Sequence, residues 1–190
     1  MNKWLSLSLI YLSLLTGCMN ADESTVVIDD QGYAHHTIHY LKDKRGQNYF
    51  PKTIPATGKK QFVFAPVAYA WAAYDETGMR VMTGGASGGQ GFCEDVGQPC
   101  RTVVGTFRVY KKRGAECRSG EFPVETTGGG KMPYCMYFYQ GYTIHAAFEV
   151  PYANTSHGCV RVWPSAAKWL NEEFITRGTQ VVILPYPKNA

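Results

Sequence analysis

Residues 155–162 combine side chains that thiol chemistry needs, because they read Thr-Ser-His-Gly-Cys-Val-Arg-Val and place Cys159 after a glycine. A second histidine, His145, ends an apolar segment, and ten residues (146–155) separate it from Ser156. A thiol becomes a nucleophile when a nearby base takes its proton, and the oxyanion formed by its attack on a carbonyl needs donors. Histidine supplies the base and the Gly158-Cys159 backbone supplies donors, so the pattern predicts a nucleophilic cysteine.

The same residues resemble the signature of the L,D-transpeptidase catalytic domain of bacterial cell-wall enzymes. That signature is an apolar residue and His, a spacer, then Ser/Thr-His-Gly-Cys, an apolar residue and Arg or Asn; here it is Ile144-His145 followed by residues 156–161. The segments Val104-Gly105-Thr106-Phe107 and Met132-Pro133-Tyr134 also resemble this family, and the resemblance covers residues 54–185. It implies that Cys159 is the nucleophile and His145 the base.

Two features depart from the family pattern. The family usually has Gly after its first histidine, where this chain has Ala146, and the spacer is short, which predicts an unusual loop over the site. The alternative is that Cys159 and His145 are packed structural residues, since free cysteine is among the most buried residue types. Two histidines and a thiol in one pattern favour the catalytic interpretation.

The resemblance implies acyl transfer through a thioester. Cys159 would attack the carbonyl of the third residue of a peptidoglycan stem peptide and expel the terminal D-alanine. His145 would take the thiol proton, with the carbonyl oxygen of Ala146 orienting its ring. An amine acceptor would then resolve the thioester, and neither a metal nor an organic cofactor is needed.

Further residues are candidates for shaping the site or holding the substrate. The N–H groups of Gly158 and Cys159 are candidates for an oxyanion hole, with Tyr134 as an addition. Ser156 and His157 are expected to shape the turn. Arg161 either holds a substrate carboxylate, since guanidinium binds carboxylate bidentately, or forms a structural salt bridge.

Three other functions remain open at this point. A cysteine carboxypeptidase or endopeptidase would use the same two residues with water as the acceptor. A cell-wall-binding lipoprotein without enzymatic activity would need no reactive thiol. A thiol–disulfide oxidoreductase would need a partner thiol close to Cys159, typically in Cys-x-x-Cys, and the sequence places none there.

The composition is that of a globular protein with room for one domain, since the 190 residues are 45% hydrophobic and 18% charged. The net charge of +4 is not clustered as nucleic-acid binding requires, so no nucleic-acid partner is expected. The expected partner is the peptidoglycan stem peptide. The sequence leaves the oligomeric state open, with a monomer as the expectation.

Residues 1–18 are typical of a lipoprotein signal peptide. A short basic start precedes an apolar stretch, which ends in Leu15-Thr16-Gly17-Cys18 and resembles the bacterial lipobox. We expect lipidation of Cys18 to anchor the protein in a membrane. Met19 in place of Asp favours the outer membrane of a Gram-negative bacterium, with the protein facing the periplasm. The alternative is an ordinary signal peptide whose cleavage removes Cys18.

The rest of the chain divides into a polar tether, residues 19–53, and a catalytic domain, residues 54–185. His35, His36 and His39 in the tether are expected to be surface residues, because a metal site needs three or four convergent ligands. Short apolar runs between turns predict strands, and the glycine-rich residues 83–91 predict a flexible loop. Helical spacing of apolar residues predicts one helix from Pro164 to Gly178. The fold class is therefore mostly β with one C-terminal helix, and the resemblance implies a β-sandwich or barrel.

Four cysteines remain once Cys18 and Cys159 are assigned, and in an exported protein they predict two disulfides. Three pairings are possible, and proximity in sequence favours Cys93 with Cys100 and Cys117 with Cys135. A zinc site formed by all four is the alternative, but the spacing lacks a pair of Cys-x-x-Cys knuckles.

Overall fold

A computed structural model describes residues 24–28 and 34–187. In these ranges the strands are β1 Ser24–Ile28, β2 Ala34–Ile38, β3 Gln61–Ala65, β4 Ala70–Tyr74, β5 Arg80–Ser87, β6 Gly105–Arg108, β7 Lys111–Lys112, β8 Met136–Tyr139, β9 Tyr142–Ala146, β10 Val160–Val162 and β11 Gln180–Ile183. The helical segments are a 3-10 turn at Val124–Thr126, α1 at Pro164–Trp169 and a π-helical turn at Leu170–Phe174. None of these helices is long and apolar enough to cross a membrane.

One nine-stranded sheet forms the domain, in the order β6-β11-β3-β4-β5-β10-β9-β8-β7, and β1 pairs separately with β2. The pairs β11–β3 and β10–β9 are parallel, and the others are antiparallel. The sheet curls into a half-barrel. Its two ends approach each other, because the rings of Phe107 in β6 and Phe138 in β8 lie 5.7 Å apart. The expectation of a mostly β fold with a C-terminal helix is confirmed.

The core lies on both faces of the central strands, because alternate residues of β3 and β4 fall in two different buried clusters. All five residues of β3 and of β4 are buried, as expected for central strands that read as continuous apolar runs. Trp71 of β4 stacks on Phe62 of β3 at 5.8 Å and on Trp169 of α1 at 6.3 Å between ring centroids. The helix therefore packs against the strands through aromatic rings, and burying such rings makes a large contribution to domain stability.

The C-terminal helix is shorter than the sequence predicts. It changes from α to π geometry at Leu170, and the chain becomes extended at Ile175 rather than continuing to Gly178. The Nζ of Lys112 donates hydrogen bonds to the carbonyl oxygens of Asn171 and Ile175. These bonds satisfy carbonyl groups that lack helical partners at the end of the segment.

The expectation of a flexible loop at residues 83–91 is wrong for its first half, since residues 83–87 belong to β5. Side chains from other segments occupy the space above the two glycines there. A Cβ atom on Gly84 would lie 2.8 Å from Nε1 of Trp71, and one on Gly85 would lie 1.8 Å from Nη2 of Arg45. The absence of a Cβ atom at these two positions therefore lets the side chains of Trp71 and Arg45 pack directly on the backbone of β5.

The expected polar tether differs from the structure in its second part, because residues 39–53 pack on the domain. Phe50 is buried, and the side chains of Asp43 and Arg45 are only 5% and 6% exposed. The two side chains hydrogen-bond to each other and to other segments, which allows charged groups of this segment to be buried. His35 and His36 fall in β2. The expected signal peptide, with Cys18, lies outside the described residues.

Candidate active site

His145 and Cys159 belong to two neighbouring parallel strands or their ends. His145 lies in β9, and Cys159 immediately precedes β10. The register pairs Val160 with Ile144 and Arg161 with His145. Cys159 precedes Val160, so the register places it level with Thr143, two positions before His145 along β9. The Cys159 thiol is partly accessible and is the one free cysteine of the described residues.

A backbone carbonyl fixes the orientation of the His145 ring. Its Nδ1 lies 2.8 Å from the carbonyl oxygen of Ala146. A carbonyl oxygen only accepts hydrogen bonds, so Nδ1 carries the hydrogen and Nε2 is left with a free lone pair. The ring is almost fully buried. The residue that replaces the family's usual glycine still supplies the orienting carbonyl, since that group belongs to the backbone.

Burial keeps both members of the pair uncharged at rest. The pKa of His145 is lowered to about 4, chiefly by desolvation; the Ala146 hydrogen bond opposes the shift, and the positive charge of Arg161 adds to it. Desolvation raises the pKa of Cys159 to about 11, against a hydrogen bond from the Thr143 backbone and the charge of Arg161. Near neutral pH the site therefore holds a thiol beside a neutral imidazole, which is the protonation state of a general base.

The turn before Cys159 is closed by the Ser156 side chain. Its hydroxyl donates to the carbonyl oxygen of Cys159 at 2.5 Å and accepts from the N–H of Gly158 at 3.1 Å. Gly158 has a φ of +117°, and a Cβ atom there would lie 2.6 Å from Cε1 of Tyr142. Ser156 thus closes the turn through both bonds. The N–H of Gly158 differs from the expectation, because it is already bonded within the turn and is not available to an oxyanion.

His157 points towards two loops outside the strand pair. Its Nε2 lies 2.7 Å from a carboxylate oxygen of Asp95, and the ring of Phe122 packs on its ring at 4.5 Å between centroids. Each loop is closed by a disulfide, Cys93–Cys100 in the first and Cys117–Cys135 in the second. The pairing is the one that proximity in the sequence favours.

The loop closed by Cys93–Cys100 contacts the turn of residues 156–159 directly. Its sulfur atoms lie 4.0 and 3.8 Å from the carbonyl oxygen of Ser156, which also accepts a hydrogen bond from the N–H of Gln90 at 3.0 Å. Potential ligand atoms of Cys93, Asp95 and His157 lie within 4.8 Å of one another. A disulfide sulfur is not a thiolate, however, so this group lacks the thiolate that a zinc site of this composition uses.

The loop closed by Cys117–Cys135 supports the histidine strand. The N–H of Ala146 donates to the carbonyl oxygen of Pro133 at 2.8 Å. Tyr134 has a φ of +58°, its N–H donates to Gly114 at 2.9 Å, and its side chain packs at the edge of the core. The structure therefore places Tyr134 as part of the framework beside His145.

Comparison with known proteins agrees with this geometry. The family model described as YkuD, the L,D-transpeptidase catalytic domain, matches residues 34–183. The chain belongs to this family. A search of curated protein sequences gave no match. The match begins twenty residues before the boundary predicted at residue 54, in agreement with the packing of residues 39–53 on the domain.

Solved structures of L,D-transpeptidases share the fold. One from Xylanimonas cellulosilytica is 28% identical, with a TM-score of 0.59, and the match covers 72% of this chain and 66% of that one. One from Stackebrandtia nassauensis is 19% identical, with a TM-score of 0.56 and 74% and 62% covered. L,D-transpeptidase 3 from Mycobacterium tuberculosis, solved with a faropenem-derived adduct, is 18% identical, with a TM-score of 0.55 and 67% and 60% covered. The chain thus spans less than two thirds of the length of these L,D-transpeptidases.

Arg161 lies close to the Cys159 thiol and to the loop of residues 147–155 that joins β9 to the turn before Cys159. Its Nη1 is 3.5 Å from Oγ1 of Thr155. Desolvation lowers the pKa of Arg161, and the charges of Cys159 and Glu149 oppose this shift. Among the described residues, Arg161 thus supplies a cation close to Cys159, with one long hydrogen bond to a hydroxyl.

Sequence reasoning missed three residues that support the site. Asp95 follows Cys93 by two positions in a loop with no recognisable motif. Asp43 and Arg45 fall in the segment interpreted as a tether, yet they hydrogen-bond to the spacer loop and to Trp163. One signal could have found the latter pair, because paired glycines in a strand often mark a close approach by another group.

Proposed function

We propose that this protein is a peptidoglycan L,D-transpeptidase that works through a Cys159 thioester. The observation that supports the proposal is the parallel pairing of β9 with β10, because Cys159 immediately precedes β10 and the Nδ1 hydrogen bond of His145 leaves its Nε2 to accept a proton. Membership of the L,D-transpeptidase catalytic domain family supports the choice of reaction and of substrate.

The reaction begins with proton transfer from the thiol. As the Cys159 sulfur attacks the carbonyl carbon of the third stem residue, Nε2 of His145 takes the thiol proton. The resulting oxyanion is stabilised by backbone donors, of which the Cys159 N–H is the candidate, because the Gly158 N–H is bonded to Ser156. The carbon–nitrogen bond then breaks, and His145 returns the proton to the departing D-alanine amine.

The second half transfers the acyl group to an amine. The acceptor nitrogen attacks the thioester carbonyl, and His145 takes its proton. The carbon–sulfur bond then breaks, and His145 gives that proton to the departing Cys159 sulfur, which regenerates the thiol and the neutral imidazole. Arg161 holds a carboxylate of the stem peptide, since its guanidinium has hydrogen-bonding capacity beyond its weak contact with Thr155. All proton transfers pass through one imidazole, and the cycle needs neither a metal nor a cofactor.

Purified disaccharide tetrapeptide tests this function. Cross-linked dimer and free D-alanine, both identified by mass, are expected from the parent protein and not from Cys159→Ala. Release of D-alanine without any dimer would favour the second candidate, a carboxypeptidase with water as the acceptor. Absence of any product and of any thiol adduct would favour a non-enzymatic wall-binding protein.

Export and lipidation at Cys18 are part of the same proposal. The lipobox-like Leu15-Thr16-Gly17-Cys18 and the peptidoglycan substrate both support a periplasmic protein held at a membrane, with Met19 favouring the outer membrane. Membrane fractionation of the parent and of Cys18→Ala tests it. The parent is expected in the membrane fraction and the variant in the soluble fraction or unprocessed; the same distribution for both would contradict lipidation.

A further inference from the structure

A buried charged cluster lies under the loop that joins His145 to Cys159. The Asp43 carboxylate accepts from Nη2 of Arg45 at 2.7 Å and from Nε1 of Trp163 at 2.7 Å. Trp163 directly follows β10, so the cluster is linked to the strand that begins after the nucleophile. These bonds keep the carboxylate charged, and they lower the pKa of Asp43 although burial alone would raise it.

The Arg45 guanidinium reaches from this cluster into the loop, residues 147–155, which has no strand or helix of its own. Its Nη2 donates to the carbonyl oxygen of Val150 at 3.0 Å, and its Nη1 donates to that of Pro151 at 3.2 Å. The ring of the next residue, Tyr152, lies over the guanidinium at 4.5 Å from the ring centroid. One side chain thus holds three consecutive residues of the loop.

The sheet leaves space for this side chain. A Cβ atom on Gly85 of β5 would lie 1.8 Å from Nη2 of Arg45, so any other residue there would displace the guanidinium. A buried ion pair gains little net stability, because its desolvation cost offsets its attraction. A gain in stability therefore does not explain why these charges are buried. Their role in holding the carbonyl groups of Val150 and Pro151 at fixed positions does.

The held residues lie next to the reacting groups. Glu149, directly before Val150, is near enough to Arg161 to favour the charged form of its guanidinium. The other end of the loop is fixed independently, because Oγ of Ser87 donates to the carbonyl oxygen of Ala153 at 2.7 Å. Loss of Arg45 would therefore free the part of the loop that carries Glu149 and leave the catalytic turn attached.

We propose that Arg45 is a positioning residue, which fixes residues 149–152 as the wall against which the stem peptide binds. This inference rests on the proposed function. A peptide substrate extends along that wall, whereas a small carbapenem that acylates Cys159 has far less surface to place against it. Loss of the guanidinium fork is therefore expected to weaken peptide binding and to leave reaction with the drug nearly unchanged.

The test compares Arg45→Lys with Arg80→Lys. The first keeps a positive charge beside Asp43, but an ammonium lacks the rigid fork that spans two carbonyl oxygens. The second is the matched control, because Arg80 also donates to backbone carbonyls, those of Gln47 and Phe50, away from the loop. Each protein is assayed for D-alanine release from tetrapeptide and for carbapenem acylation by intact mass.

For Arg45→Lys we expect kcat/KM with the peptide to fall by about 10- to 100-fold, mainly through KM, and drug acylation to change by less than about threefold. Amide exchange of residues 147–155 should rise in the same variant. Arg80→Lys should change none of these. Equal losses with both reagents, or no loss with the peptide, would overturn the positioning role.

A second variant covers the case in which Arg45→Lys does not fold. Tyr152 is 74% exposed, so Tyr152→Ala removes the ring from above the guanidinium without opening the core. Like Arg45→Lys, this variant should raise KM for the peptide. An unchanged KM would overturn the proposal. A parent protein that releases no D-alanine would refute the proposed function itself, before any variant is compared.

Discussion

Acidification should destabilise the fold through His145. Burial lowers the pKa of its imidazole from 6.5 to about 4, which disfavours the charged form in the folded protein. At about 1.36 kcal/mol per pKa unit, the full linkage amounts to about 3 kcal/mol. The folded pKa is the depressed one, so this stability is present above pH 6.5 and is lost as the pH falls towards 4. At pH 5 the loss from this residue should be about 2 kcal/mol.

Urea unfolding of the parent and of His145→Gln isolates this contribution. The variant cannot titrate at position 145, so the difference in unfolding free energy between the two proteins removes the effect of every other group. When the pH is lowered from about 8 to 5, the parent should lose about 2 kcal/mol more unfolding free energy than the variant. A difference that stays constant over this range would show that the imidazole titrates normally in the folded state. It would refute the neutral resting pair.

Three more outcomes follow from the site. Iodoacetamide should alkylate Cys159 slowly at neutral pH, with a rate still rising above about pH 9, because burial raises its pKa to about 11; a plateau below pH 8 would contradict this. Gly158→Ala should lose acylation without unfolding, since its Cβ would meet Tyr142 at 2.6 Å; parental acylation rates would count against the turn geometry. Cys117→Ser with Cys135→Ser should lower stability by about 3 kcal/mol, measured as a fall in Tm; an unchanged Tm would show that this disulfide does not stabilise the domain.

The sequence predicted the parts of the site that neighbouring residues encode. His145 and Cys159 stand out because their residue types and spacing match one motif, and the disulfides follow from proximity along the chain. The strands of the half-barrel follow from short apolar runs. These inferences need only local pattern and elementary chemistry, together with the resemblance of the motif to the L,D-transpeptidase signature.

The remainder depends on contacts between distant parts of the chain. Arg45 and Val150 are separated by 105 positions, and His157 and Asp95 by 62, so no local pattern connects them. The paired glycines of β5 are typical of a loop sequence. Their position in a strand is explained only by the side chains of Trp71 and Arg45, which occupy the space above them. The polar composition of residues 39–53 predicts a tether, because the partners of Asp43 and Arg45 outside this segment lie 105 to 120 positions away along the chain.

Intact-protein mass after exposure to tetrapeptide or a carbapenem tests the central claim most directly. The parent should gain the mass of one acyl group at Cys159, mapped by peptide digestion, and the peptide-derived adduct should disappear when an amine acceptor is added. Cys159→Ala should gain none, and His145→Ala should gain it far more slowly, because an unassisted thiol is at most a few per cent thiolate near neutral pH. A Cys159→Ala protein that still releases D-alanine at the parental rate would contradict the account.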